Sequence, residues 1–371
     1  MIETCVFRSI GEIDRAAWNA CFPGAIETHA YLHAIEKSAL DGFSWRYAAA
    51  FNGDTLIAAA PAFLTDYALD TTLSGAGKKV VSGMRRVLPG ALRLRLGAIG
   101  SPCTETAGLG FADCVSPRDK PTILDALIRG FEADALRAGC GLLAVKDAHS
   151  KMNEIWDESL VARGYRSIPS LPIAVLPIDF DTLEGYLSRL SAGTRKDMRR
   201  KLRALSQVRI EYRSDIADVL DEVVAIYNET LKRAELQFEE LTPSYFTNVL
   251  AMMPAQAFFV LYYVAETLVG FNLLLQNHDT LLDKFFCMKA VEGKKCNLYF
   301  LSWFTNIRLC LERGLKRYQS GQAGYENKVR LGSRLERTAM YFRHRNAFVS
   351  KAMHLAAPLF VPDPTFARAG Q

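Results

Sequence analysis

The chain has 371 residues, of which 50% are apolar and 23% charged, with a formal net charge of +5. That length exceeds one ordinary core and predicts two domains, and that balance excludes a disordered or fibrous chain. No apolar run approaches the ~20 residues of a membrane-spanning helix, the start (Glu3, Glu12, Asp14) lacks the apolar stretch of a secretory leader, and the cysteines at 5, 21, 103, 114, 140, 287, 296 and 310 show neither a CxxC pair nor zinc spacing, so they read as reduced, mostly buried thiols of a cytoplasmic protein.

Residues 2–8 read as a strand. Ile13–Phe22 and Thr28–Leu40 read as helices, the first with Trp18 on its apolar side. Two apolar runs, Trp45–Phe51 and Thr55–Leu64, flank Asn52-Gly53-Asp54, and Asn-Gly between such runs marks a hairpin. Residues 71–104 hold no acid, yet carry Lys78, Lys79, Arg85, Arg86, Arg93 and Arg95 among valines and leucines. A basic amphipathic segment of this kind lies on an anionic membrane surface, meets a phosphate-bearing ligand, or is a solvated insertion with an ordinary apolar side. Gly97–Glu105 reads as a glycine and proline loop. Pro121–Arg137 has helical spacing, with Ile123, Leu124, Leu127, Ile128 and Phe131 inward. Gly141–Val145 is a compact apolar strand that ends in Lys146-Asp147-Ala148-His149. Open α/β folds hold ligand groups at such strand ends. Asp147 and His149 are therefore candidates for an acid or base, while Lys146 pairs with Asp147 or a helix end. A helix over Asn153–Arg163 and a strand over Ile173–Pro177 finish this half.

After a short helix over Asp181–Leu190, Thr194-Arg-Lys-Asp197 has the form of a capping box with Thr194 as N-cap. The helix it opens turns Arg195, Lys196, Arg199, Arg200 and Arg203 to one side and Met198, Leu202 and Leu205 to the other. Only Asp197 offsets the cations locally. Such a face suits phosphates, on coenzyme A, a carrier protein, tRNA or lipid headgroups, or else is a solvated surface. Val208–Arg213 reads as a strand, and Ile216–Ala234 and Leu241–Met252 as helices. Phe258–Ala265, Leu268–Gln276 and Thr280–Met288 read as three antiparallel strands. Asp283 sits in the last of them among leucines and phenylalanines, so it is either paired or functional. A periodic helix follows over 298–313, with Leu298, Leu301, Phe304, Ile307 and Leu311 in one stripe, and Gly314 ends it. Lys316–Gln319 is a short strand. The chain then turns loop-like through Gly321, Gly324 and Gly332, with Gln322, Tyr325, Glu326, Asn327 and Lys328 between them. That segment is a ligand-contacting loop or a polar surface turn. The tail, with Arg343-His-Arg-Asn346, Met353, Leu355, Leu359 and Phe360, reads as a packed terminal helix, with membrane or partner contact as the other reading.

A helix followed by a strand ending in Gly321-Gln-Ala-Gly-Tyr-Glu-Asn-Lys328 resembles the C-terminal signature of the FemAB-like branch of the GNAT acyltransferase superfamily. The basic helix at the start of the second half matches that branch as well. The first half matches only by its order of strand, two helices and hairpin. The resemblance implies an α/β chain with mixed sheets in two tandem GNAT-like domains, 1–178 with the basic insertion at 71–104, and 179–371 with the basic helix first. It also implies that the strand over 280–288 leads to a phosphate-binding helix start at Glu292-Gly-Lys-Lys-Cys-Asn297. The usual glycine-rich phosphate loop is absent there, and Lys294, Lys295 and Asn297 stand in its place.

The function this implies is N-acyl transfer. An amine attacks the carbonyl of a thioester, with acyl-CoA or an acyl carrier protein as co-substrate and neither a tightly bound cofactor nor a metal. In that picture Tyr325 or a carboxylate (Asp283, Asp147) or His149 handles protons, Lys328 and Gln322 bind or polarise, and the 195–203 face holds phosphates. The acid-free segment, the apolar tail and 21 phenylalanines tilt the acceptor towards a lipid. One version acylates a sphingoid base, as bacterial ceramide synthases of similar size do, on the inner membrane face. A Fem-type transferase using aminoacyl-tRNA is the alternative, although residues 214–256 leave no room for a helical-hairpin arm. A non-catalytic pair that binds lipid or carrier protein is the third reading.

Overall fold

The hairpin signalled at Asn52-Gly53 forms, and the first sheet grows from it. The computed structural model describes residues 2–68, 93–234 and 238–357. In chain order the first strands are β1 (Ile2–Phe7), β2 (Phe43–Asn52), β3 (Thr55–Ala68), β4 (Arg93–Ile99), β5 (Gly110–Phe111), β6 (Leu142–His149) and β7 (Arg166–Pro169). Helices α1 (Arg15–Cys21), α2 (His29–Glu36), α3 (Lys120–Arg137) and α4 (Asn153–Val161) lie among them. The remaining strands are β8 (Ile173–Pro177), β9 (Arg209–Arg213), β10 (Ala257–Val264), β11 (Thr267–Gln276), β12 (Thr280–Met288), β13 (Arg317–Gln319), β14 (Arg334–Glu336) and β15 (Thr338–His344). With them come α5 (Leu183–Arg189), α6 (Ala192–Leu202), α7 (Leu220–Leu231), α8 (Pro243–Met252), α9 (Ala290–Lys295), α10 (Leu298–Glu312), α11 (Tyr325–Arg330) and α12 (Ala347–Ala356).

Two mixed sheets result. One runs β1-β2-β3-β4-β6-β15-β7, with β5 beside β3, and the other runs β14-β8-β13-β12-β11-β10-β9. Among the described residues each has a single parallel pair. In the first it is β4 with β6, from Leu96 opposite Leu142 to Ile99 opposite Val145. In the second it is β12 with β13, from Thr280 opposite Arg317 to Leu282 opposite Gln319. Pairing stops at those residues while β6 and β12 run on, so each sheet opens a notch at the same place.

The halves exchange strands. β8 lies between β13 and β14 of the second sheet, and β15 lies between β6 and β7 of the first. This corrects the expected boundary at 178/179: the strand over 173–177 does not finish the first sheet but joins the second. An apolar strand such as Ile173-Ala-Val-Leu pairs wherever an edge is open, and its own sequence does not say which. A contiguous core spans the seam. Trp18, Tyr31 and Ile35 of the first half share a cluster with Tyr245, Phe246, Phe259 and Phe271 of the second. Fully burying one such side chain is worth about 1.5–3 kcal/mol. The Tyr31 hydroxyl lies 2.8 Å from the Tyr245 hydroxyl and donates to the Cys103 carbonyl at 2.8 Å.

Other expectations change in detail. Residues 69–92, with Lys78, Lys79, Arg85 and Arg86, lie outside the described residues. The rest of the expected insertion is not one: residues 93–99 are β4, a strand between two others. Leu359 and Phe360 lie outside the described residues too. The terminal helix packs on one side only, since Phe348 is 86% and Leu355 78% exposed. Thr194 is not an N-cap. The helix starts earlier, and Ser191 caps it by accepting from the Thr194 N–H. The 315–332 stretch is not all loop, because α11 starts at Tyr325 after Gly324, whose φ is +65°. The eight cysteines are all free thiols.

Gly270 on β11 sits where α10 meets the sheet. A Cβ there would fall 2.5 Å from Leu298 Cδ2 and 2.8 Å from the Cys287 carbonyl oxygen. Gly270→Ala is expected to lower stability by ~1–3 kcal/mol through overpacking. Gly193, helical with open space around it, is the control: Gly193→Ala is expected to raise stability by roughly 0.5–1 kcal/mol. Urea unfolding of both variants checks the opposite signs.

Candidate active site at the seam of the two sheets

Bulges aim charged side chains into the seam. On β12, Leu273 pairs with Phe285 and Leu274 with Asp283, which leaves Lys284 as the extra residue. On β6, Ala148 pairs with Ala339 and Val145 with Tyr341, so Lys146 and Asp147 together face Met340. A bulge bends its strand and re-aims side chains, and Asp147 takes a left-handed φ of +53° to do so. Lys284 Nζ lies 2.6 Å from Glu27 Oε1, and Lys146 Nζ lies 2.5 Å from Asp147 Oδ2 and 2.9 Å from the Thr104 carbonyl. Ser170 donates to the other oxygen of Asp147. Asp147 is therefore a partner of Lys146, as the sequence suggested, and not an open base.

The notch between β12 and β13 holds the second group. Lys328, from α11, is buried and donates to the Ser320 carbonyl and to the Gly321 carbonyl at 3.1 Å. Burial lowers its pKa to about 8, against the pull of Glu105 and Asp283, which raise it. Gly321, with φ +79°, lies between Glu105 and Lys328: a Cβ there would be 3.6 Å from Glu105 Oε1 and 3.8 Å from Lys328 Nζ. Asp283 is buried and accepts from Asn272 Nδ2 at 2.8 and 2.9 Å, Tyr318 at 3.0 Å and Asn306 at 3.2 Å. Burial raises its pKa to about 6, with those hydrogen bonds and Lys328 opposing. Glu105 is buried as well, with Gln319 Nε2 donating to its Oε2 at 2.5 Å, and burial raises its pKa.

Of the sequence-predicted residues, the structure gathers Lys328, Asp283, Gln322 and Tyr325 here. Gln322 Nε2 bonds the Leu171 carbonyl at 2.8 Å and the Glu105 carbonyl at 3.4 Å. Tyr325 is a buried strut whose hydroxyl donates to the Pro172 carbonyl at 2.8 Å, and burial pushes its pKa up, so it is unfit as a base. His149 stands apart with Glu336, 2.9 Å away, which Arg317 also approaches at 2.7 Å. The cationic helix does not join the group. Arg195 bonds the Ser188 and Leu190 carbonyls, Arg199 pairs with Glu184, and Arg200 with Asp197. Glu184 thus offsets a face on which Asp197 was the only acid expected. Lys196 and Arg203 are exposed. Lys294 and Lys295 are exposed on the last turn of α9, which follows β12 at once, and Gly293 packs on Met288. Asn297, with φ +56°, makes no side-chain cap.

Sequence reasoning missed Glu105 as a site residue. The available signal was that it is the first acid after the acid-free run of 71–104. Glu27 and Lys284 were missed too, because a bulge and a chain-distant pairing leave no local pattern.

A cavity of about 440 Å³ opens between the halves, with Trp18, Phe22 and Trp156 among its apolar walls and Glu27, His149, Asp279, Arg317, Thr104 and Gln319 among its polar ones. That volume is in the range of small-molecule sites. None of the α6 cations lines it, and neither does Tyr325. Among the described residues there is no His/Cys/Asp/Glu group arranged for a metal ion, and no helix long and apolar enough to cross a membrane.

Two mixed sheets, each notched at one parallel pair and sharing a charged seam, define a tandem GNAT-type protein. The FemAB-like family, described as peptidoglycan biosynthesis/recognition, matches residues 157–355, and the chain belongs to that family. Among solved structures it is similar to FemX, at 12% identity and a TM-score of 0.61, over 95% of this chain and all of that one. It is similar to a C-terminal domain of a putative lysylphosphatidylglycerol synthetase from Agrobacterium fabrum, at 13% identity and a TM-score of 0.55, over 96% of this chain and 98% of that one. It is also similar to a tandem GNAT protein from the clavulanic acid biosynthesis pathway, at 12% identity and a TM-score of 0.54, over 93% of this chain and 99% of that one. No curated protein matches the chain in sequence.

The pKa directions fix two pH dependences. Asp283 ordinarily titrates near 3.8 and here at about 6, so between those values the folded state holds the extra proton and stability falls as pH rises. Lys328 ordinarily titrates near 10.5 and here at about 8, so between those values the unfolded state holds the extra proton and stability rises with pH. Asp283→Asn is expected to flatten the acid dependence and Lys328→Met the alkaline one. Urea midpoints from pH 4 to 10 check both, and slopes unchanged from wild type would contradict the burial argument.

Proposed function

We propose that the protein transfers an acyl group from an activated carboxylic acid to an amine at the seam between its halves, where Gln319 lines the cavity and bonds Glu105 behind it, in the making of a cell-envelope component. The observation that carries this reading is the placement of Lys328. A desolvated ammonium held at a strand notch by two carbonyls, with Glu105 beside it, suits stabilisation of a carbonyl oxygen that becomes negative in the transition state. Family membership and the GNAT-type fold support the same class of chemistry.

In this reading the acceptor loses a proton from its ammonium, its nitrogen bonds to the carbonyl carbon, and negative charge grows on the oxygen near Lys328. The carbon–sulfur or carbon–oxygen bond to the leaving group then breaks, and that group takes up a proton. Glu105 is the better proton acceptor of the two notch carboxyls. Asp283 already accepts four hydrogen bonds, whereas Glu105 accepts one from a side chain. Its raised pKa brings its basicity closer to neutrality. The apolar cavity walls favour a lipid-like acceptor, and a long-chain sphingoid base with an acyl thioester is the concrete version to test first. The second reading uses an aminoacyl ester as donor. It is favoured by the likeness to the lysylphosphatidylglycerol synthetase domain, and the acceptor chemistry in the cavity is the same.

Purified protein incubated with long-chain acyl-CoA and sphinganine, or with aminoacyl-tRNA and an amine lipid, is expected to give an amide detectable by mass spectrometry. Loss of product on nuclease treatment selects the second donor, and absence of product with every donor removes the proposal. Lys328→Met is expected to lower kcat by about 10²-fold or more. Tyr325→Phe is expected to keep the rate while losing ~0.5–1.5 kcal/mol of stability, since that hydroxyl is a strut.

A further inference from the structure

The charges around the cavity are not balanced towards its interior. Among the described residues, four charged or titratable side chains line it: Glu27, Asp279, Arg317 and His149. The basic pair is already engaged, since Arg317 and His149 both meet Glu336 Oε2, at 2.7 and 2.9 Å. The acidic pair is engaged through one oxygen each. Glu27 Oε1 takes the buried Lys284 ammonium at 2.6 Å, and Asp279 Oδ1 takes the Thr280 hydroxyl at 2.6 Å. Glu27 Oε2 and Asp279 Oδ2 accept from no side chain among the described residues. Glu27 is also held rigidly. Its partner Lys284 comes from the β12 bulge and has a side chain only 4% exposed. The apolar walls of the same cavity include Trp18 and Phe22, whose rings stack on each other at 5.2 Å.

A fixed carboxylate with one oxygen not engaged by a side chain, in an apolar-walled cavity whose cations are engaged elsewhere, is suited to accept a charged hydrogen-bond donor. We propose that the cavity selects its acceptor as a primary ammonium ion on an apolar body, with Glu27 as the specificity-determining anchor and Asp279 as a second acidic contact. This rests on the acyl-transfer reading for the acceptor's fate, but not for its binding. Neutral alcohols of the same shape, and amines carrying a nearby anionic group, are disfavoured.

The test is a binding measurement without any acyl donor. Calorimetry at neutral pH compares n-octylammonium with 1-octanol on the full chain. Wild type is expected to bind the ammonium at least tenfold more tightly, as a charged hydrogen bond allows. Glu27→Gln is expected to bring the two within about threefold. Because that variant leaves the Lys284 charge buried without a partner, Glu27→Gln/Lys284→Met serves as a second variant with the pair neutralised. It is expected to fold like wild type and still show no preference for the ammonium. Equal binding of the two probes by wild type overturns the proposal, as does a full preference surviving in both variants. A preference lost in the variants, with no transfer seen for any donor, supports this inference while removing the acyl-transfer reading. Transfer that proceeds with an unchanged KM for the amine in both variants overturns the inference alone.

Discussion

A charge removed from water must meet an opposite charge or give up its own, and the seam of this molecule is organised by that constraint. Lys146, Lys284 and Lys328 are buried among Glu27, Glu105, Asp147, Glu239 and Asp283. The two lysines with a carboxylate at bonding distance, Lys146 and Lys284, have their pKa raised despite burial. Lys328, whose direct partners are carbonyls, has its pKa lowered. The same desolvation thus yields two structural cations and one tuned group, and the difference is the presence of a touching carboxylate. Three carboxyls in the set, Glu105, Glu239 and Asp283, are raised for the matching reason.

Neither half builds this seam alone. Glu27, Glu105, Lys146 and Asp147 come from the first half of the chain and Lys284, Lys328 and Asp283 from the second. The strand exchange makes the arrangement rigid: β8 carries the chain of the first half into the second sheet, and β15 returns the chain to the first. The Tyr325 hydroxyl and the Gln322 amide clamp the loop just before β8 through the Pro172 and Leu171 carbonyls. The Lys328 helix is therefore tied to the first half through the crossover itself. Relative motion of the halves would disturb that tie, so the chemistry proposed here is expected of a preorganised cleft more than of one that opens widely.

How much of this was legible in the sequence depends on range. Local signals were reliable. Asn52-Gly53 gave its hairpin, the stripe of Leu298, Leu301, Phe304 and Ile307 gave α10, and Gly314 ended it with φ +66°. The 321–328 segment stood out by its glycines, and Gly321 and Gly324 do take positive φ there. Pairings between distant segments were not legible. β15 does not show in the sequence, where Arg343-His-Arg-Asn346 at its end reads as part of a terminal helix, because its partners β6 and β7 lie far upstream, and β8 gives no sign of which sheet it will join. Glu105 and Lys284 become site residues only once a loop and a bulge place them opposite each other. The charge balance of the α6 face was hidden for a related reason: Glu184, which takes Arg199, is fifteen residues away and one helix back.

That helix still bears on the site, through packing rather than by lining it. α11 points Lys328 inward and Arg330 outward, and Arg330 bonds Asp197 at 3.0 Å and Thr194 at 3.3 Å on α6. Asp197 in turn holds Arg200 and Lys201, and against the effect of burial the hydrogen bonds from Lys201, Arg330 and Arg200 lower its pKa. With Lys328 and Arg330 two positions apart on a helix of six residues, α11 fastens the notch lysine to α6 from outside the cavity.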